Sequence, residues 1–282
     1  MRQQSPLMLA VTCVCRFSYL GEGGFQVAHE TQADRAAFLY DRKRLMHRFA
    51  WFEHVTLPAI RNQTDPDFTF LVVTGDSLPD WAMARLQALL DDIPQARIIA
   101  MPPMRHRDAC QQAMAMLPPV ADATHYALMR LDDDDAVALD MVARLRWDFG
   151  SGLRQLWARE RLLALDYPRG VLLDQGADDT IQLDPRILPL ATAALAVVVG
   201  PARRADLFQF AHYKLHGRMT VVSLQDEAMF VRGVHGQNDS NASQQRGQPW
   251  DVEDLDLAEL LRDRFAIDVP ALVAALRAAS AL

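Results

Sequence analysis

Thr124-His125-Tyr126-Ala127-Leu128-Met129-Arg130-Leu131 runs straight into Asp132-Asp133-Asp134-Asp135. The first part reads as a β-strand. Four consecutive carboxylates at its end repel one another and resist desolvation, so their presence needs a cause. A divalent cation would supply one. Mg²⁺ and Mn²⁺ are hard ions that take oxygen ligands and usually arrive with phosphate groups. In an α/β chain, an Asp-x-Asp at the carboxyl end of a strand is where a nucleoside diphosphate and its metal would sit. The competing reading is a solvated acidic loop, with Asp135 as N-cap of a helix expected over residues 137–149. An apolar strand in front and a helix behind favour the functional reading.

Outward from this run, apolar strand-like segments alternate with amphipathic helical ones. Strands are expected at 7–15, 67–74 and 97–100, and helices at 34–52, 78–90 and 108–116. Such alternation predicts an open, mostly parallel sheet with helices on both faces, binding ligands beyond the carboxyl ends of its strands. Arg16, Asp76 and the aspartate run all fall at such ends. Residues 162–183 read as β structure with turns at 168–170 and 176, followed by strands at 194–199 and 220–224 and a helix at 205–210. Residues 237–249 are polar and read as a loop. The tail gives two helical segments, 252–264 and 270–282, the second opened by Asp268 and Pro270. Its leucines and valines need a surface to dock on, either the main domain or a second subunit. The expected division is a domain over 1–245 and a helical tail over 246–282. The glycines at 21–24 match neither a P-loop nor a dinucleotide fingerprint.

The chain has 282 residues, 50% hydrophobic and 23% charged, with a formal net charge of −7. That length supports a substantial core. The acidic balance and scattered arginines argue against a nucleic-acid partner. Cys13, Cys15 and Cys110 read as reduced core residues, which suits the cytoplasm. The run at 7–15 is too short for a signal sequence and lacks a cleavage site, and the run at 187–200 is too short to span a bilayer. No transmembrane segment is expected, and a peripheral place on the inner face of the membrane remains compatible. Trp51, Trp81, Trp147 and Trp157 are expected in the core, which leaves Trp250 to stack on a sugar.

A second unusual segment is Val234-His235-Gly236-Gln237-Asn238-Asp239-Ser240-Asn241. Gly236 allows close backbone approach, His235 can ligate a metal or donate to phosphate, and Asn238 and Ser240 can bond sugar or phosphate oxygens. A plain polar turn is the alternative. With Arg16-Phe17, Leu57-Pro58-Ala59-Ile60, Gln63-Thr64-Asp65, Asp67-Phe68 and Arg130-Leu131 through Ala136, this segment resembles the rhamnosyltransferase family. That family is similar to the nucleotide-sugar glycosyltransferases of the GT-A fold.

The resemblance implies a GT-A-like, Rossmann-like mixed sheet flanked by helices. It implies transfer of a sugar from a nucleotide-diphosphate donor to a glycan or other hydroxyl acceptor. It implies Mn²⁺ or Mg²⁺ on Asp132 and Asp134, completed by His235. Donor contacts would come from Arg16, Phe17, Asp76, Arg130, Asp133, Asp135, Asn238 and Ser240. An inverting reaction would need a carboxylate base. Asp226 is the candidate and Glu227 the alternative, against the reading that both cap a turn. The competing functions are a metal-dependent nucleotidyltransferase or phosphohydrolase, and an inactive carbohydrate- or partner-binding protein of the same fold.

Overall fold

The computed structural model of the chain describes residues 8–22, 31–238, 247–250 and 256–282. Ser240 and most of the expected polar loop lie outside them. Strand β1 (Leu9–Arg16) is buried on both faces. Val11, Cys13 and Cys15 face one core, while Ala10 and Val14 face the other, the two-residue period of a strand covered on both sides.

The single helix expected at 34–52 is two, α1 (Gln32–Leu39) and α2 (Arg42–Trp51). Asp41 breaks them and caps α2 by accepting from the Arg44 N–H. After Trp51 the helix widens to a π turn over Phe52–Thr56 and resumes as α3 (Leu57–Arg61). Pro58 supplies the cause, since it has no N–H and its ring crowds the carbonyl four residues back.

The next units follow the expected alternation: β2 (Thr69–Gly75), α4 (Asp80–Leu90), β3 (Ala96–Met101), α5 (His106–Met116) and β4 (His125–Asp132). The expectation fails just after the aspartates. Residues Asp135–Val137 form a short strand, β5, and α6 (Met141–Asp148) starts only at Asp140. Asp135 is therefore a strand residue, not a cap. A π turn over Phe149–Leu153 leads into α7 (Arg154–Glu160). The middle of the chain is β6 (Leu163–Asp166), β7 (Arg169–Gln175), β8 (Ile181–Ile187), β9 (Leu195–Val199) and β10 (Thr220–Ser223). Arg169 and Gly170, expected in a turn, lie in β7. The short strand β11 (Phe230–Val234), which the sequence reading passed over, precedes His235.

Seven strands form one mixed sheet in the order β10-β6-β9-β4-β1-β2-β3. β1 lies between β2 and β4, parallel to both, and β9 runs antiparallel to β4 and β6. A second sheet, completed by β12 (Gln248–Pro249), has the order β12-β8-β7-β11-β5. In it β5 is antiparallel to β11, with Asp135 opposite Arg232. The acidic run is therefore the bridge from the large sheet to the small one.

The tail helices α8 (Leu257–Phe265) and α9 (Val269–Ser280) are capped by Asp256 and Asp268. Leu261, Phe265, Ile267, Leu272 and Leu276 are buried in the same core as Phe49 and Trp51. Lys43 of α2 donates to the Ser280 carbonyl at 2.5 Å, and the Leu139 N–H donates to the Arg264 carbonyl at 2.9 Å. The tail thus docks on the main body of its own chain and shares its core. Among the tryptophans, Trp147 is 71% exposed rather than buried, and Trp250 donates to the Gly170 carbonyl at 2.9 Å, which fixes its indole against the small sheet. No helix among the described residues is long and apolar enough to cross a membrane.

Candidate functional site

The carboxyl ends of β1 and β4 open onto a cavity of about 760 Å³. Its far wall is β11 with residues 188–192 and 208–213. Arg16 and Asp132 come from the ends of β1 and β4, which their parallel register sets side by side. Their charged groups lie 4.0 Å apart. Asp134, Asp135 and Asn238 reach the cavity from the bridge and from the end of β11.

The four aspartates are not equivalent. The Asp132 side chain is 47% exposed, whereas Asp133, Asp134 and Asp135 are buried. Buried carboxylates need partners. Arg48, from α2, supplies them: its guanidinium pairs with Asp133 on one edge and lies 3.1 Å from Asp134 on the other. Asp134 also accepts from Asn238 at 2.7 Å, and the His235 Nε2 lies 2.9 Å from it. Burial alone would push the Asp134 carboxyl up, but Arg48 and His235 hold it well below the usual carboxylate range. Asp135 goes the other way. Burial and then the Asp134 charge push its carboxyl well up, and the Gly233 N–H is its backbone donor at 3.3 Å.

Gly233 is obligatory here. A Cβ at that position would stand 2.7 Å from the Asp134 carbonyl, which the Gly233 N–H bonds at 3.0 Å. The π turn serves the same region, since the Thr56 hydroxyl within it donates to the Asp135 carbonyl at 2.8 Å.

His235 is buried beside Trp51 and His47. Its Nδ1 accepts from the Gln237 N–H at 3.2 Å, so the ring proton sits on Nε2, facing Asp134. Burial lowers its pKa, which keeps the ring neutral. His235 does not line the cavity. In this arrangement His235 stands against Asp134, one of the two carboxylates with which it is expected to hold the metal. Among the described residues, no three His, Cys, Asp or Glu side chains are gathered to hold a metal by themselves. A hard cation held by one or two carboxylates, phosphate and water needs no such cage. Asp132 and Asp134 fit that description, since both face the cavity and Asp134 stays ionised.

Other expected residues fall elsewhere. Phe17 is fully buried between Phe49 and Phe52, a core ring rather than a donor contact. Asp76 is exposed at the end of β2 and does not line the cavity. Asp133 turns to Arg48 and is also absent from the wall. Asp226 pairs with Arg144 at 2.5 Å and Glu227 with Arg264 at 2.5 Å. Both precede β11, while Asn238 follows it, so the strand separates the expected bases from Asp134. Neither lines the cavity. Arg16, Arg130, Asp132, Asp134, Asp135 and Asn238 do.

Arg48, His106, Arg107 and Arg232 were missed by sequence reasoning. Arg232 lies in a strand too short for its pattern to mark it. Nothing local marks Arg48.

Solved structures share this architecture only distantly. The S. aureus TarS fragment 1–349 in complex with UDP-GlcNAc has 11% identity and a TM-score of 0.42, covering 95% of this chain and 70% of that one. The same fragment without a named ligand gives 11% identity and 0.40, over 79% of this chain and 60% of its own length. In that second comparison this chain spans less than two thirds of the fragment. A Bacillus anthracis protein described as a putative glucose-1-phosphate thymidylyltransferase, in complex with a sucrose, gives 9% identity and 0.35, over 79% of this chain and 89% of that one. No curated protein matches the sequence. Residues 10–247, from β1 to the start of β12 and so including every wall of the cavity, match the family described as "Putative rhamnosyl transferase", and the chain belongs to that family.

Proposed function

We propose that this protein is a glycosyltransferase that moves a sugar, rhamnose by the family's description, from a nucleoside-diphosphate donor to a hydroxyl of a glycan or other acceptor. The observation that carries the reading is the cavity at the carboxyl ends of β1 and β4, where Asp132 and Asp134 stand among arginines. Its size suits a nucleotide sugar. In such a transfer the bond from the anomeric carbon to the diphosphate oxygen breaks while the acceptor oxygen forms its own. Charge gathers on the leaving diphosphate, and preorganised cations beside it lower the barrier.

The chain's own residues perform three tasks in this reading. Arg16 and Arg130 face the leaving group. Asp134 is kept ionised and immobile by Arg48, Asn238 and His235. The apolar wall of Leu188 and Phe208 excludes water from one side. Mn²⁺ or Mg²⁺, held by Asp132 and Asp134, would act as a Lewis acid on the diphosphate.

A thermal-shift screen of UDP-, dTDP- and GDP-sugars with and without Mn²⁺, followed by assay of nucleoside diphosphate release, tests the donor reading, because a ligand that binds only the folded state raises stability. Stabilisation by one donor class with slow donor hydrolysis is expected. Failure of all three classes to bind would sink it. Mn²⁺ binding, read by loss of the free-ion EPR signal, should disappear in Asp134→Asn. Undiminished Mn²⁺ binding by that variant would remove Asp134 from the metal site.

A further inference from the structure

The acidic run draws attention to negative charge, yet the cavity around it is rich in cations. Arg16, Arg48, Arg107, Arg130 and Arg232 line it, five guanidiniums against the carboxylates of Asp132, Asp134 and Asp135. The chain as a whole carries a net charge of −7, so this concentration runs against its average. The arginines come from five separate elements: Arg16 from β1, Arg48 from α2, Arg107 from α5, Arg130 from β4 and Arg232 from β11. Such convergence raises the positive potential of the cavity wall, which favours an anionic ligand.

The neighbouring groups report the same field. Burial and then the charges of Arg16, Arg107 and Arg130 lower the His106 pKa to about 4. Burial and Arg130 lower that of His212 on the opposite wall. Arg130 itself is half-buried, and its guanidinium stacks over the Phe208 ring at 5.4 Å. A guanidinium held in this way, with an aromatic ring on one face, presents its N–H edge toward the cavity in a fixed plane.

Arg48 has a different task, because it is committed to Asp133 and Asp134. Arg16 and Arg130 stand at the ends of adjacent parallel strands, and Arg232 stands opposite, on the strand that pairs with Asp135. Guanidinium groups recognise phosphate oxygens in bidentate fashion. Two on one wall and one on the other fit a group with two linked phosphates better than one with a single phosphate. Asp132, 4.0 Å from Arg16, holds that arginine in place without neutralising the whole wall.

We propose that Arg16, Arg130 and Arg232 form a clamp that binds a diphosphate directly, so that the donor's pyrophosphoryl group is held without a divalent cation. The inference rests on the donor reading above and sharpens it. Binding is separated from metal-assisted chemistry, and the released nucleoside diphosphate, with one more negative charge than the donor, is retained more strongly than the donor. The product is therefore an inhibitor at low metal concentration.

Isothermal titration with inorganic pyrophosphate, orthophosphate, and UDP, dTDP and GDP, each in EDTA and in Mn²⁺, tests this on the full chain. Pyrophosphate and one nucleoside diphosphate should bind in EDTA, and pyrophosphate should bind at least about tenfold more tightly than orthophosphate. Arg16→Met, Arg130→Met and Arg232→Met should each weaken pyrophosphate by about ten- to a hundredfold, the usual scale for one charged hydrogen-bonding partner. Arg232→Lys should restore part of the loss. If one of these variants melts early, the other two carry the test. Nucleoside diphosphate binding that appears only with Mn²⁺, or folded variants that bind pyrophosphate like the wild type, overturn the clamp and leave the donor reading standing. No nucleoside diphosphate binding under either condition ends both.

Discussion

Asp132–Asp135 and Asp226–Glu227 are both acidic clusters beside a strand, and both meet arginines, yet they differ in kind. In the first, Asp133 and Asp134 are 1% and 3% exposed and share the guanidinium of Arg48. In the second, the Asp226 and Glu227 side chains are 55% and 47% exposed, and Arg144 and Arg264 clip them to the outside of α6 and α8. Water screens the second cluster, which leaves its charges little to contribute. Asp133, Asp134 and Asp135 of the first have lost their water and have exchanged it for fixed protein partners beside a cavity. Burial, not acidity, separates a site from a solvated turn.

The sharpest way to break this comparison is to remove one arginine from each cluster. Arg48→Met strands two buried carboxylates, and urea unfolding should show a loss of about 3–5 kcal/mol. A loss no larger than that of an exposed pair would mean that water reaches Asp133 and Asp134 after all.

A middle-sized effect belongs to the cavity wall. The folded pKa of His106 is lowered to about 4, below its unfolded value, so its contribution is fully present above about pH 6.5 and is lost as pH falls toward 4. For a half-exposed ring the contribution is on the order of 1 kcal/mol after screening. His106→Gln should flatten the fall in stability between pH 7 and pH 5. An unchanged slope would show that burial and the arginines together disfavour the charged ring less than the geometry implies.

The smallest effect is expected at the outer cluster. Asp226→Asn removes a surface pair with Arg144, and stability should change by less than about 1 kcal/mol. Donor turnover should stay within a few-fold of wild type. A loss of a thousandfold with normal donor binding would restore Asp226 to the role of base and would require β11 to move.

Two departures from the expected arrangement share one physical origin. The helix expected directly behind the aspartates begins only at Met141, because β5 first pairs with β11, whose apolar residues are too few to mark a strand by pattern alone. The expected base Asp226 is placed outside the cavity for the same reason: without β11, nothing in the sequence separates residue 226 from residue 235. Phe17 shows the opposite limit. It follows Arg16 in the chain, but a one-residue step at a strand end turns the side chain to the other face, into the cluster of Phe49 and Phe52.

By itself the sequence determined what depends on near neighbours. Period-two and period-3.6 patterns located β1, β2, β3 and β4 and the helices between them, and the cap at Asp268 follows from local hydrogen bonding. The strand-end aspartates and the segment at 235–238 were legible for the same reason, since unusual polar residues beside apolar runs stand out locally. Only the tertiary structure decided which carboxylates face the cavity. Arg48 lies 85 positions before Asp133, and Arg232 reaches the same cavity from a strand of the other sheet. Whether a charge is a ligand, a counter-ion or a solvated surface group depends on the water it has lost and the groups that replace it, and packing at long sequence separation alone fixes both.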